Sequence, residues 1–186
     1  ELIKQTILDA QKNISIKNLD EVKINEKNKV QPTVAKDTVV KEKTKNKNFD
    51  ENEKSEFLKG AKIAYETIIT DFSDSDNKIT TSKPLLSKKI YNQFKQALSE
   101  REAKGHFAEI TFIGINSASI KTYKKNEDNL EVTVDFVSEL ITCVKDKDKK
   151  IISGDSEKIT KVYDTWIFSK DMKSSSLNWL LIDTIT

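Results

Sequence analysis

The acidic side chain best placed to do chemistry is Asp164, which sits among apolar neighbours in a predicted strand. It shares a strand face with Val162 and Trp166, because residues two apart point to the same side of a strand. A carboxyl group in an apolar setting has a raised pKa and can act as a general base. No histidine, Tyr–Asp pair or second acid stands at a telling spacing beside it. A structural carboxylate, at a sheet edge or held by backbone donors, is therefore favoured.

The other reactive residue types are scarce. His106 is the only histidine and Cys143 the only cysteine. His106 directly follows Gly105, as a loop or strand-start residue does, and one cysteine can form neither an intramolecular disulfide nor a cysteine zinc site. The DKDKK run at 146–150 lacks the glycine and the distal glutamate of a calcium loop. We therefore predict no enzyme activity, no metal site and no cofactor.

Charge divides the chain into two parts. Residues 1–48 hold eleven lysines against seven acidic residues, whereas the remainder holds 21 basic and 23 acidic residues. The overall net charge of +2 is lower than the net positive charge that is typical of nucleic-acid-binding domains. Arg101 is the single arginine, so bidentate contacts to guanine or phosphate have almost no donors. No nucleic-acid partner is predicted.

Residues 1–48 are predicted to be a flexible, lysine-rich linker. They contain no aromatic residue and no glycine, and only residues 1–12 carry a weak helical stripe. Such a segment buries too little apolar area to offset its ordering entropy. The first residue is Glu1, so we expect a preceding membrane anchor to have been removed, with the lysine excess favouring the cytoplasmic side.

A folded domain is predicted over residues 49–186, where all 14 aromatic residues lie. Apolar residues from Phe57 to Phe72 recur at helical spacing, with Asp50 as the N-cap. A second helix is predicted from Pro84 to Gly105, because proline favours the start of a helix and glycine favours its end.

The period changes to two after His106. Strands are predicted over 107–123 with a bend near Gly114, over 130–145, over 158–170 after a turn around Gly154, and over 178–184. The strands have no crossover helix between them, which predicts an α+β fold with an antiparallel sheet of about four strands and two or three helices.

A curved sheet with helices on one face commonly leaves an apolar pocket between them, the default binding site. The candidate lining residues are the aromatic residues of the strands: Phe112, Phe136, Trp166, Phe168 and Trp179. The alternative is that these residues pack in the core.

Several segments resemble the Tim44-like domain family, in its bacterial (alphaproteobacterial) form. They are FLKGAKIAYETIITDF (57–72), PLLSKKIYNQFKQALSEREAKG (84–105), VDFVSELI (134–141), DKDKKIISGDSEKITKVYDTWIFSKD (146–171) and NWLLIDT (178–184). The resemblance implies a nuclear-transport-factor-2-like (NTF2-like) fold, cone-shaped with an apolar pocket. It also implies a non-catalytic scaffold at the bacterial inner membrane that binds cardiolipin-like anionic lipid and a protein partner.

The mitochondrial members of this family tether a heat-shock chaperone to the protein-import translocase. Nothing in residues 1–48 matches their chaperone-binding segment, so only the fold and the membrane association are carried over. The family's membrane contact maps onto the first helix, at Lys54, Phe57, Lys59 and Lys62. Two alternatives are a secretion-system assembly domain of the VirB8-like type, and a small-molecule-binding protein or isomerase of the same superfold.

Overall fold

The computed structural model describes residues 49–73 and 78–185. Two helices, α1 (Glu51–Phe72) and α2 (Lys88–Ala103), precede four strands: β1 (Phe107–Lys125), β2 (Asn129–Lys145), β3 (Ile151–Asp171) and β4 (Leu180–Ile185). The strands form one antiparallel sheet in the order β1-β2-β3-β4. The predicted α+β class is confirmed, and the arrangement agrees with the NTF2-like fold. The predicted linker, residues 1–48 with a weak helical stripe over residues 1–12, lies outside the described residues.

The start of α1 is fixed by a capping box. The Asp50 carboxylate accepts the Glu53 backbone N–H at 2.9 Å, and the Glu53 carboxylate accepts the Asp50 N–H at 3.1 Å. Two N–H groups that the helix leaves without partners are thereby satisfied. The predicted cap at Asp50 is confirmed.

The start of α2 differs from the prediction. Pro84 lies in a separate 3-10 turn, Lys83–Leu85, and α2 begins at Lys88 with Ser87 as its N-cap. The chain must break here because Leu86 is extended and bridges to Leu181 of β4, whose carbonyl accepts the Ser87 N–H at 2.9 Å. A tertiary contact thus overrides the helix-start preference of proline.

The end of α2 follows the prediction. Gly105 has a φ of +65°. Its N–H bonds to the Glu102 carbonyl at 2.8 Å, and the His106 N–H bonds to the Arg101 carbonyl at 3.1 Å. This pair of bonds is a Schellman motif, in which glycine takes the left-handed conformation at lowest cost.

Two buried charged groups secure the end of α1. The Asp71 carboxylate accepts the backbone N–H groups of Thr80, Thr81 and Ser82, together with the Ser82 hydroxyl at 2.6 Å. Arg101 donates to the Phe72 carbonyl at 3.2 Å, and burial lowers the pKa of its guanidinium to about 10. The guanidinium therefore stays charged at neutral pH beside the negative end of the α1 dipole.

One face of the sheet carries the core. Every even-numbered residue of β2 from Leu130 to Leu140 is buried, as the alternation predicts. They pack with α1 and α2 residues of the same cluster, among them Phe57, Ile68 and Phe94. The odd-numbered β2 residues in this stretch face the other way and are half-buried.

Irregularities bend the long strands. β1 is one strand, with a shift in register between Phe112 and Gly114 where a bend was predicted, and such bulges increase strand curvature. β3 begins at Ile151 rather than near residue 158. Gly154 lies within β3 at a φ of +78°, opposite Cys143, and residues 156–158 directly after it bulge out of the pairing with β2, so the predicted turn is an irregularity inside a longer strand. A side chain here would collide with β2, so glycine lets the strand continue through this point.

Candidate functional site

An open groove of about 430 Å³ lies between α1 and the segment that leads into β4. The 3-10 turn, the ends of β1 and β3 and the start of β2 form the remaining walls. Its lining is mostly apolar: Phe49, Phe57, Ala61, Ala64, Leu85, Leu130, Phe168, Met172, Leu177 and Trp179. An apolar concave site with a few polar groups is the usual form of a binding site.

An aromatic cluster forms the inner wall of the groove. The ring centroid of Phe57 lies 4.4 Å from that of Trp179, 5.9 Å from that of Phe168 and 6.0 Å from that of Phe49. Phe49 is itself buried and also contacts Tyr123, at 5.4 Å between ring centroids. The described chain therefore enters the domain at the wall of the groove.

Gly60 leaves room in the groove. It lies within α1, and a Cβ built on it would meet no atom within 4 Å. Because a glycine inside a helix costs up to about 1 kcal/mol relative to alanine, packing of the helix does not explain its presence. The space above the helix backbone is open instead to an occupant of the groove.

Two flexible apolar side chains stand at the mouth of the groove. Met172 is 41% exposed and Leu177 is 78% exposed, both in the segment between β3 and β4. Exposed apolar residues beside an apolar groove mark an interaction site more strongly than single scattered ones. Methionine in particular adapts its shape to different partners.

The charges around the groove are mixed. Glu53 and Glu56 of α1 stand on one side, and Lys125 and Lys170 on the other. The two lysines flank Leu130 across three neighbouring strands, since Lys125 pairs with Leu130 and Leu130 with Lys170. The rim can therefore pair with either sign of charge on a ligand, while its floor is apolar.

The aromatic residues predicted to line a pocket are separated by the structure. Phe168 and Trp179 line the groove. Phe136 and Trp166 are buried in the core against Tyr65, with ring centroids 4.4 and 4.6 Å from that of Tyr65, and Phe112 lies 6.3 Å from the same ring. These three predicted lining residues therefore pack against the Tyr65 side chain and do not line the groove.

Asp164 has a partner that the sequence did not reveal. The Tyr65 hydroxyl donates to the Asp164 carboxylate at 2.6 Å and lies 2.8 Å from the Ser138 hydroxyl. Burial and the adjacent carboxylate raise the pKa of Tyr65 well above its ordinary value. No spacing in the sequence indicated this pair, because Tyr65 lies 99 positions away from Asp164 in the chain.

The residues predicted to contact a membrane do not form one exposed face. Phe57 is only 5% exposed, in the aromatic wall of the groove. Lys54 bonds to Glu51 and lies 5.3 Å from the centre of the Tyr123 ring, and Lys59 bonds to Glu56. Lys62 is exposed. Five acidic residues and three lysines lie along α1, so the helix is not a cationic surface.

Sequence reasoning missed Gly60, Met172 and Leu177. The available signal was a glycine within a strongly periodic helix, which is unfavourable unless something needs the space. The apolar residues before β4 gave no signal, because single exposed apolar residues are common.

The sequence pattern of the Tim44-like domain matches residues 36–186. The chain belongs to the Tim44-like domain family. This is a family of membrane-associated scaffold domains, and the predicted resemblance is confirmed. The matched region begins 13 residues before Phe49, within the predicted linker. An alphaproteobacterial origin stays a prediction.

Two solved structures overlap loosely with this Tim44-like domain. The intermembrane-space region of the chloroplast protein ARC6 is 10% identical, with a TM-score of 0.38 over 69% of this chain and 94% of that one. A putative NTF2-like transpeptidase from Campylobacter jejuni is 13% identical, with a TM-score of 0.22 over 67% and 95%. Likeness at this level carries no argument about function. No curated protein matches the chain.

The described residues contain no helix that could span a membrane. Neither α1 nor α2 is long and apolar enough to cross a bilayer.

Proposed function

We propose that this Tim44-like domain is a non-catalytic scaffold at the bacterial inner membrane that holds an apolar segment of a protein partner in its groove. The observation that carries the proposal is the groove itself. It is open, Leu130 and Phe168 line it, and Gly60 in its lining leaves space where a side chain would stand. An apolar helix or loop of a membrane protein has the surface that such a groove accepts.

The exposed residues at the mouth support a protein partner. Met172 and Leu177 would be covered by a partner that reaches beyond the groove, which removes apolar surface from water. Glu53 and Lys170 on opposite sides of the rim would then fix the register of a partner carrying both signs of charge. A chaperone or a membrane complex is the class of partner that the family favours.

Lipid contact is assigned to the lysine-rich linker, residues 1–48, which we call the arm, rather than to α1. Lys59 is already paired with Glu56, and α1 carries more acidic residues than lysines. The arm has four more lysines than acidic residues. Four of its lysines lie close together near its end: Lys41, Lys43, Lys45 and Lys47. Each lysine near an anionic leaflet contributes on the order of 1 kcal/mol, less at high salt. We propose that this arm binds cardiolipin-like lipid on the cytoplasmic face.

An enzymatic role for Asp164 is the alternative. Its carboxylate accepts a hydrogen bond from the hydroxyl of Tyr65, whose ring stacks on Phe136 and lies at a tilt against Trp166 in the core. Neither Asp164 nor Tyr65 lines the groove. A buried tyrosine hydroxyl requires a hydrogen-bond partner whether or not a reaction takes place, so the pair supports a structural role.

A probe of apolar sites tests the groove. The fluorescence of 1-anilinonaphthalene-8-sulfonate is expected to rise on binding the full chain. Gly60→Leu adds a large side chain to the lining of the groove, at a position where the Cβ meets no atom within 4 Å, and should reduce the affinity at least ten-fold. Glu66→Leu adds the same side chain on an exposed part of α1 that does not line the groove, so it should have no effect. Equal binding by both variants would remove the groove as the site.

Vesicle flotation tests the lipid proposal separately. The full chain should float with cardiolipin-containing vesicles and lose most of that binding at high salt. Replacing Lys41, Lys43, Lys45 and Lys47 with glutamine should weaken binding at least ten-fold. Replacing Lys59 and Lys62 of α1 should change it less than two-fold. Equal recovery with neutral phosphatidylcholine vesicles would contradict lipid binding by charge.

A further inference from the structure

The face of the sheet opposite the helices carries an apolar surface that the groove does not use. The odd-numbered residues of the two central strands point to this side, and we call Val137, Ile141, Ile159, Tyr163 and Ile167 the open sheet face. Tyr163 is 60% exposed and Ile159 is 53% exposed. Val137 lies directly opposite Tyr163, and Ile141 opposite Ile159, so the apolar residues form cross-strand pairs.

A row of charge divides this face in two. Glu139 and Lys161 are opposite each other, between the Val137–Tyr163 pair and the Ile141–Ile159 pair. The next charged residues along the face are Lys121 and Asp135, which lie 3.5 Å apart. These four residues carry two positive and two negative charges. An anionic membrane or a nucleic acid would need an excess of positive charge here, so the face suits a protein surface of mixed sign.

The pattern of this face is complementary to itself. Two sheets that pack face to face keep their strands nearly aligned, with side chains from both faces interdigitating. If a two-fold axis runs along the strands between β2 and β3, the β3 of one copy lies over the β2 of the other. Lys161 of each copy then meets Glu139 of the other, and Ile159 meets Ile141.

We propose that two copies of this chain pair through the open sheet face. With strands about 4.8 Å apart and about 3.4 Å per residue, the nine paired positions of the two central strands cover on the order of 300 Å² per copy. The total of about 600 Å² is below the range of stable specific interfaces, so the dimer should be weak and transient, with a dissociation constant no tighter than the micromolar range. The groove lies on the other side of the sheet, which leaves it accessible in the dimer and gives the scaffold two partner sites.

Sedimentation velocity of the full 186-residue chain, from about 1 to about 200 µM, tests the proposal. The wild type should shift from monomer to dimer across this range. Tyr163→Lys should raise the dissociation constant at least ten-fold. The control Ile63→Lys, which changes a side chain 68% exposed on α1, should leave it unchanged. A wild type that stays monomeric throughout, or equal effects of both substitutions, would overturn the proposal.

Charge exchange tests the pairing and does not depend on the apolar variant. Glu139→Lys and Lys161→Glu should each prevent self-association, because each places like charges across the two-fold axis. A mixture of the two variants should form a heterodimer, since opposite charges then meet again. Thermal unfolding of each variant first establishes that it is folded. If the wild type dimerises while the mixture stays monomeric, the dimer uses another surface and the proposal is wrong.

Discussion

At the residue scale, the most consequential contact is the hydrogen bond between Tyr65 and Asp164. Tyr65 is completely buried, so its hydroxyl would lose its water partners on folding without compensation. Asp164 and Ser138 supply that compensation at 2.6 and 2.8 Å. The position of Asp164 in the strand suggested a general base. In the structure Asp164 accepts the hydrogen bond of Tyr65, which allows this polar aromatic residue to be buried in the core.

Asp164→Ala should lower the free energy of unfolding by about 1–3 kcal/mol, the usual cost of removing a partner from a buried polar group. Denaturant unfolding followed by tryptophan fluorescence measures the change. The control Asp183→Ala removes an exposed carboxylate that lies 3.5 Å from Lys89, and should cost less than about 1 kcal/mol. An equal loss in both variants would contradict the role assigned to Asp164.

Tyr65 also predicts a pH dependence. Its folded-state pKa is raised above the ordinary 10.0, so its contribution to stability is fully present below pH 10 and is lost as the pH rises further. Unfolding free energies measured between pH 9 and pH 11 should fall more steeply for the wild type than for Tyr65→Phe. Identical slopes for the two proteins would show that Tyr65 ionises freely in the folded domain.

The Tyr65–Asp164 contact could not be predicted from the sequence. The two residues lie 99 positions apart, on α1 and β3, and only the packing of the helix across the sheet brings them together. The same packing explains why Phe136 and Trp166 are core residues rather than lining. Their alternation predicted burial correctly, but burial alone does not distinguish the wall of a groove from the centre of a core.

At the element scale, periodicity was a good guide to the helices and strands and a poor guide to their ends. α1 and β2 follow the predicted apolar patterns closely, because each packs one continuous face against the core. The starts of α2 and β3 were placed wrongly, and both depend on contacts between elements. Leu86 is held by β4, and Gly154 lets β3 extend to Ile151 against β2.

Gly154 and Gly60 should respond oppositely to alanine. At Gly154 the φ is +78° and an added Cβ would lie 2.3 Å from the Thr142 carbonyl oxygen, so Gly154→Ala should cost about 2–4 kcal/mol. At Gly60 a Cβ meets nothing, so Gly60→Ala should stabilise the domain by up to about 1 kcal/mol. Thermal unfolding measures both changes, and destabilisation by Gly60→Ala would mean that the helix needs glycine for its own packing.

At the scale of the whole molecule, the sheet separates two surfaces. The helices, the aromatic wall and the groove lie on one face, and the open sheet face lies on the other. The lysine excess belongs to residues 1–48, whereas the remainder of the chain has two more acidic than basic residues. Lipid contact by the arm and partner contact by the groove are therefore attributed to different parts of the chain, and substitutions can separate them.

Site-specific photo-crosslinking in membranes of the native host tests the central claim most directly. A benzoylphenylalanine at Leu177, at the mouth of the groove, should give a discrete adduct with a membrane protein, and Gly60→Leu in the same chain should abolish it. The same group at Ile63, exposed elsewhere on α1, should give no such adduct. Adducts of equal yield from both positions, or an adduct at Leu177 that persists with Gly60→Leu, would contradict partner binding in the groove.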